Sequence, residues 1–250
     1  MNRIILMNKN KGFTLIELLV VISVISLLMA ILLPFLRKAK EAAREVVCRS
    51  NMRGIGIGIQ MCLQDNEEQM PDFSGANGFF WYDSAGKLRK PDDFDAYWGV
   101  AFKKYIDEPK IFGCPSFQRT AELIYPVDPD LIAQAAYGIN VNASGIKFTN
   151  IRKPDRFIIT HDHVEPKMEQ GSLDMFYNDG PGTLNLRHYR PGGERARFYR
   201  GIFRHNIRYS APFRTGGRSN TLWLDGHVEP IHETTGDDVP SSWYTGSNPT

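Results

Sequence analysis

A chain of 250 residues with 42% hydrophobic and 23% charged residues can bury one good core, which excludes a disordered chain. Its net charge is only +2, and three of its cations (Arg3, Lys9 and Lys11) stand ahead of an apolar run, so the remainder is balanced and lacks the basic excess of a nucleic-acid binder. Three cysteines, Cys48, Cys62 and Cys114, form no C-x-x-C pair, which excludes a zinc ribbon and a thioredoxin motif and leaves one disulfide plus a thiol as an option outside the cytoplasm.

The first element is Lys11-Gly12-Phe13-Thr14-Leu15-Ile16-Glu17 followed by Leu18 to Leu36, a stretch without one charge. At about 1.5 Å per helical residue it crosses most of a hydrocarbon core of roughly 30 Å. Glu17 is the exception in this company, because an ionised side chain costs on the order of 2.5–3.5 kcal/mol on insertion scales and so asks for a partner or a function. A secretory signal peptide is one reading, but the run is longer than a usual h-region and leads into Leu-Leu-Pro-Phe-Leu-Arg-Lys with no small-x-small cleavage site. An ordinary single-pass anchor is another. Arg37, Lys38, Lys40 and Arg44 balance the basic residues ahead of the run, so the positive-inside rule gives no orientation.

A third reading is a resemblance. Lys11–Glu17 resembles the processing motif of type IV prepilins and type II secretion pseudopilins, and Pro34 stands where that family's helix often carries a proline. The resemblance implies cleavage between Gly12 and Phe13 by prepilin peptidase, methylation of Phe13 as the new terminus, and assembly through Glu17, whose carboxylate pairs with the terminal amine of a neighbouring subunit. It implies a leader over 1–12, a transmembrane and filament-core helix over 13–36, and a globular domain over 37–250 whose spine is the helix 37–64. The implied fold is α+β and pilin-like, a long N-terminal helix packed on an antiparallel sheet with a long loop-rich insertion. The implied partners are prepilin peptidase, other pilin-like subunits, a secretion or pilus assembly platform and membrane lipid, with no specific nucleic acid. The implied location is the bacterial inner membrane, single-pass, with the C-terminal domain periplasmic or displayed in a pseudopilus or surface filament.

Beyond Pro34, strong helix formers and a mostly helical apolar spacing through Val47, Met52, Ile55, Ile59, Cys62 and Leu63 predict one helix from about Phe13 to Gln64, bent at Pro34. Gly54, Gly56 and Gly58 weaken it by up to ~1 kcal/mol each. Cys48-Arg49-Ser50-Asn51, Cys114-Pro115-Ser116, Tyr137-Gly138-Ile139-Asn140, Lys153-Pro154-Asp155-Arg156 and Asn220 to Glu229 resemble a branch of prepilin-like proteins with a C-terminal His-x9-Asp-Gly signature. The branch resemblance implies that Cys48 and Cys114 form a disulfide or lie close together in the core, with Cys62 a buried thiol. The chain departs from the signature, because His205 lies twenty residues ahead of Asp225 instead of ten. The added residues, roughly Ile207 to Thr215, read as an insertion and put in question any role that needs His205 beside Asp225.

Asp92 to Tyr105 reads as a short amphipathic helix whose aromatic stripe belongs to the core. Gly78 to Tyr82 reads as a buried loop anchor, with a sugar-stacking platform as the alternative. Strands are predicted at Tyr137–Val141, Arg156–Asp162, Thr221–Leu224 and His227–Ile231, the last two joined by a two-residue type I′ turn at Asp225-Gly226. Glu165 to Arg218 reads as a loop-rich insertion.

His161-Asp162-His163 places both imidazoles on one strand face as half of a candidate zinc site, with His205, Asp225, His227 and His232 as further donors. Asp174, Asn178 and Asp179 are candidate calcium ligands, without EF-hand spacing. Arg187 to Arg218 holds nine arginines and one acidic residue, a patch for anionic partners or a solvated loop that pairs with the acidic stretch Asp65 to Glu108. No nucleophile elbow, Walker loop or dinucleotide fingerprint occurs. The expectation is a structural, non-enzymatic subunit without a required cofactor, zinc or calcium being the metals considered. The alternatives are a displayed binding module for glycan, DNA or a secreted substrate, and an anchored metal-dependent enzyme using His161 and His163.

Overall fold

The computed structural model describes residues 14–117, 133–168, 201–206, 216–234 and 239–246. Helix α1 (Leu15–Asp65) is one continuous element with Pro34 inside it. The chain divides into two compact units, Met1–Lys40 and Glu41–Thr250, and α1 contributes to both.

In the first unit every described residue, from 14 to 40, is exposed, so Leu, Ile, Val and Met face the surroundings on all sides of the helix. A helix that is apolar all round belongs in lipid or in a packed assembly. Pro34 supplies no N–H to the ladder, yet its neighbours on both sides remain helical.

In the second unit α1 becomes a spine with one buried stripe: Glu45, Cys48, Met52, Ile55, Ile59, Cys62 and Leu63 recur at helical spacing. The three glycines that weaken the helix locally let it approach its partners. A Cβ on Gly56 would lie 2.9 Å from Leu222 Cδ1 and 3.4 Å from the Gly226 carbonyl, and one on Gly58 would overlap Ile106. Gln60 Nε2 donates to the Leu224 carbonyl at 2.6 Å on the same turn of the sheet hairpin. Gly56→Leu is therefore expected to destabilise the protein by about 2–3 kcal/mol despite its better helix propensity, read as a lower urea midpoint.

The sheet is β1 (Tyr137–Asn140), β2 (Ile158–Asp162), β3 (Lys167–Met168), β4 (Arg218–Trp223) and β5 (Val228–His232), in the order β3-β1-β2-β4-β5. All pairings are antiparallel except β1 with β3, which is parallel, so the sheet is mixed at one edge. Strand β3 follows from packing more than from pattern, since two residues carry no period to read.

Two further local readings are corrected. Asp92 to Tyr105 contains only a 3₁₀ turn at Trp98–Phe102. The backbone that a helix would use is committed elsewhere: Gly78 N–H donates to the Ala96 carbonyl, Phe80 N–H to Asp95 and Tyr97 N–H to Phe80. Phe94, expected on the apolar face, is 70% exposed. Between β4 and β5 the chain turns over Leu224, Asp225 and Gly226, with Gly226 N–H donating to the Trp223 carbonyl, Trp223 N–H to the His227 carbonyl, and only Gly226 at positive φ (91°). That is a type I turn closed by a left-handed glycine, in place of the type I′ turn that would need Asp225 at positive φ as well. Trp81, from the Gly78–Tyr82 cluster, is buried against Tyr97 and Phe112 while its Nε1 donates to the Gln134 carbonyl at 2.9 Å.

Candidate functional site

Two places hold the residues singled out by the sequence: the start of α1, and a buried ionic cluster in the globular unit.

At the start of α1, Leu18 N–H donates to the Thr14 carbonyl, which makes Thr14 the N-cap. Glu17 Oε2 accepts from the Thr14 backbone N–H and from its hydroxyl, both at 2.8 Å, and Thr14 Oγ1 accepts from Glu17 N–H at 3.3 Å. This reciprocal pair is a capping box, carried by the local sequence pattern Thr-x-x-Glu ahead of an apolar run. The box lies wholly downstream of the Gly12–Phe13 bond. Glu17 keeps Oε1 without a partner among the described residues. Gly12 and Phe13 lie outside those residues.

The buried cluster joins four segments. Asp162, at the end of β2, Arg204 and His205, bridged to the start of β4, and Cys48 and Cys114 are all 2% exposed or less. His205 pairs antiparallel with Arg218, its N–H donating to the Arg218 carbonyl at 3.1 Å and its carbonyl accepting at 2.8 Å. The insertion thus begins and ends next to one β-bridge, and His205 keeps a fixed place at the first residue of β4. Asp225 lies beyond the other end of that strand, where it accepts from His227 N–H at 3.1 Å and contacts Nδ1 of the same ring at 2.6 Å. His205 and Asp225 serve opposite ends of β4.

Asp162 Oδ2 accepts from Asn220 N–H at 2.7 Å and lies 3.1 Å from His205 Nε2, while Arg204 Nε sits 3.4 Å from Oδ1. Burial alone pushes the Asp162 carboxyl up, but the Arg204 charge and the contacts from His205 and the Asn220 N–H together hold it below the usual carboxylate range. Arg204 Nη2 donates to the Ala136 and His163 carbonyls at 2.8 and 2.9 Å, and its guanidinium lies 4.3 Å from the Phe117 ring centroid. Two arginines of the Arg187–Arg218 stretch are described in ion pairs, Arg204 with Asp162 and Arg218 with Glu45 at 2.9 Å. Neither pairs with Asp65 to Glu108, so for these two the solvated-loop reading is replaced by structural ion pairs.

Cys48 and Cys114 are joined as a disulfide with Cα atoms 5.1 Å apart, and Cys62 is a buried free thiol. The bond closes a separation of 66 residues, for which the chain-entropy model gives roughly 4 kcal/mol. Around it, Asn51 Nδ2 donates to the Gly113 carbonyl at 2.9 Å, and the Tyr137 hydroxyl donates to Gly113 at 3.0 Å, its pKa raised by burial. Cys114 Sγ stands 3.8 Å from His205 Nε2. Cysteine, histidine and aspartate in contact invite comparison with a catalytic triad, and the geometry excludes it. A triad uses one ring nitrogen for the nucleophile and the other for the carboxylate. Here Nε2 faces both, and Nδ1 is buried with no partner among the described residues.

His161 and His163 do share a strand face, their ring centroids 5.4 Å apart. His161 Nδ1 lies 2.9 Å from the Asp162 carbonyl and Nε2 lies 3.1 Å from the Tyr244 hydroxyl, while His163 Nδ1 accepts from Glu165 N–H at 3.0 Å. Both nitrogens of His161 are thus engaged by the protein, as in a buried core histidine. Burial, with His163 beside it, lowers its pKa to about 3. The native state therefore binds fewer protons than the unfolded chain between about 6.5 and 3. This contribution to stability is complete above 6.5 and is lost as pH falls through that window, by at most about 1.4 kcal/mol per unit. Chemical denaturation at stepped pH is expected to show this slope in the native chain and a flatter one in His161→Gln. Asp174, Asn178 and Asp179 lie outside the described residues.

Residues 7–33 match the model of the prokaryotic N-terminal methylation motif. No curated protein and no solved structure matches the chain. The chain is thus prepilin-like at its N-terminus, carrying the segment on which prepilin peptidase acts, and the exposed apolar part of α1 directly behind it marks a membrane- or pilus-associated protein.

Proposed function

We propose that this protein is a structural, non-enzymatic pilin-like subunit, processed between Gly12 and Phe13 and assembled through α1 into a pseudopilus or related filament that serves protein secretion. The observation that carries the reading is the pairing of the methylation motif with a capped helix whose apolar residues from Leu15 to Leu36 are all unburied. Such a surface is held in lipid before assembly and covered by like helices after it. The Glu17 carboxylate caps its own helix through Oε2 and offers Oε1 to the Phe13 amine of a neighbour, so two charges that would be costly alone in an apolar core are paired. The Cys48–Cys114 disulfide fits a domain that works in an oxidising compartment.

The test is genetic and biochemical together. In cells lacking prepilin peptidase the full-length chain should accumulate in the inner membrane and be absent from the sheared-filament fraction. Its presence in that fraction, still carrying residues 1–12, would refute the reading.

A further inference from the structure

The disulfide lies beside groups that a structural bridge does not need. The ligand atoms of Cys48, Cys114 and His205 all fall within 4.8 Å of one another, all three residues are buried, and Asp162 adds a carboxylate oxygen on the same ring nitrogen of His205. We propose that when the Cys48–Cys114 bond is reduced this cluster is a zinc site, with Cys48, Cys114 and His205 as ligands and Asp162 in the fourth position.

The distances suit the ion. A tetrahedral zinc with bonds of about 2.3 Å to sulfur and about 2.0–2.1 Å to nitrogen or oxygen sets its S···N edges near 3.6 Å and its N···O edge near 3.3 Å. The corresponding separations are 3.8 Å from Cys114 Sγ to His205 Nε2 and 3.1 Å from His205 Nε2 to Asp162 Oδ2. The two sulfurs, bonded to each other in the disulfide, have to part by side-chain rotation. Thiolate and imidazole donors with one carboxylate favour zinc over calcium or magnesium. His205 presents Nε2 to Cys114 and Asp162, and its Nδ1 is buried without a partner among the described residues.

Charge is the stronger argument. A disulfide is neutral, and so is Zn²⁺ with two thiolates, so exchanging one for the other leaves the net charge of the cluster unchanged. Asp162 is already balanced by Arg204, which approaches Oδ1 while Oδ2 faces His205. The exchange therefore adds no unpaired charge to a buried site. A cellular dithiol reduces the bond by two electrons: its own sulfurs are oxidised to a disulfide, and Cys48 and Cys114 become thiols. Zinc then displaces one proton from each, and two protons leave to solvent. Zinc and the disulfide are alternative staples at one place, the metal also tying in β2 and the segment ahead of β4.

The full-length protein in detergent, reduced anaerobically with a phosphine, exposed to zinc and desalted, should retain one zinc per chain, and the oxidised protein none. Cobalt in place of zinc should give thiolate-to-metal charge-transfer bands in the near ultraviolet and intense ligand-field bands in the red, the signature of a tetrahedral thiolate site. Cys114→Ser and His205→Ala should each lower the retained metal roughly tenfold or more, whereas Cys62→Ser should not change it. Adding a thiol oxidant to the zinc form should release the metal as the disulfide returns. Zinc held equally by the oxidised protein, or undiminished in Cys114→Ser, overturns the proposal. So does a reduced native chain with no thiolate–cobalt bands, a readout that stands whether or not the variants fold.

Discussion

Glu17→Gln is expected to be cleaved and methylated like the native chain and yet to be depleted from assembled filaments by roughly 100-fold or more. The substitution separates two roles that the carboxylate combines. A glutamine at the third helical position still accepts from the Thr14 N–H, so the capping box and the start of α1 survive. It carries no charge, so the neighbour's terminal amine is left alone in an apolar core, at a cost of roughly 3–5 kcal/mol for a broken buried pair. Glu17→Ala adds the loss of the cap, worth about 1 kcal/mol, on top of the same assembly defect. Quantifying the variant in membrane and sheared-filament fractions decides the matter. Native incorporation of Glu17→Gln would show that the carboxylate acts only as a cap.

The largest loss of stability from a single side chain is expected at Arg204. Arg204→Met removes the cation that faces Asp162 and withdraws the donors to the Ala136 and His163 carbonyls. A buried carboxylate left without its partner costs about 3–5 kcal/mol, a large fraction of a domain's total stability. Arg204→Lys should recover little of it, because a point charge cannot serve Asp162 and two carbonyls from one planar fork. In a double-mutant cycle with Asp162→Asn, the second substitution should cost far less in the Met background than in the native one. Additive losses would mean that the ion pair is not what Arg204 contributes.

The sequence made the long helix readable because its signals are local: an uncharged run, strong helix formers and a stripe at helical spacing. The four strands with a readable run of β-branched and aromatic residues were legible for the same reason, while β3, with two residues and a parallel partner, had no pattern to show. Gly54, Gly56 and Gly58 counted locally against the helix, and only the packing of Ile111, Leu222 and Ile106 explains them. The segment from Asp92 to Tyr105 failed as a helix because its backbone pairs with Gly78 and Phe80, a contact no periodicity records.

The sites divide the same way. Thr14 and Glu17 are three residues apart, and their capping box is a short-range pattern that could have been read. The buried cluster unites residues from four distant segments, so nothing local announces that Asp162 meets Arg204 and His205, or that His205 meets Cys114. On the His161-Asp162-His163 strand the paired imidazoles draw the eye, but alternation sends Asp162 to the opposite face, and that face holds the ionic cluster. The fragments Cys48–Asn51 and Cys114–Ser116 meet at this cluster with His205 and Asn220, while the rest of the Asn220–Glu229 fragment forms the hairpin at the far end of β4.

The central claim concerns the first residues of the chain, and intact mass and terminal peptide mapping of the protein from its native membrane tests it most directly. The account predicts a mature chain that begins at Phe13, carries one methyl group on its α-amine and keeps Glu17 unmodified. A chain that retains residues 1–12, or one cut at any other bond, would contradict it.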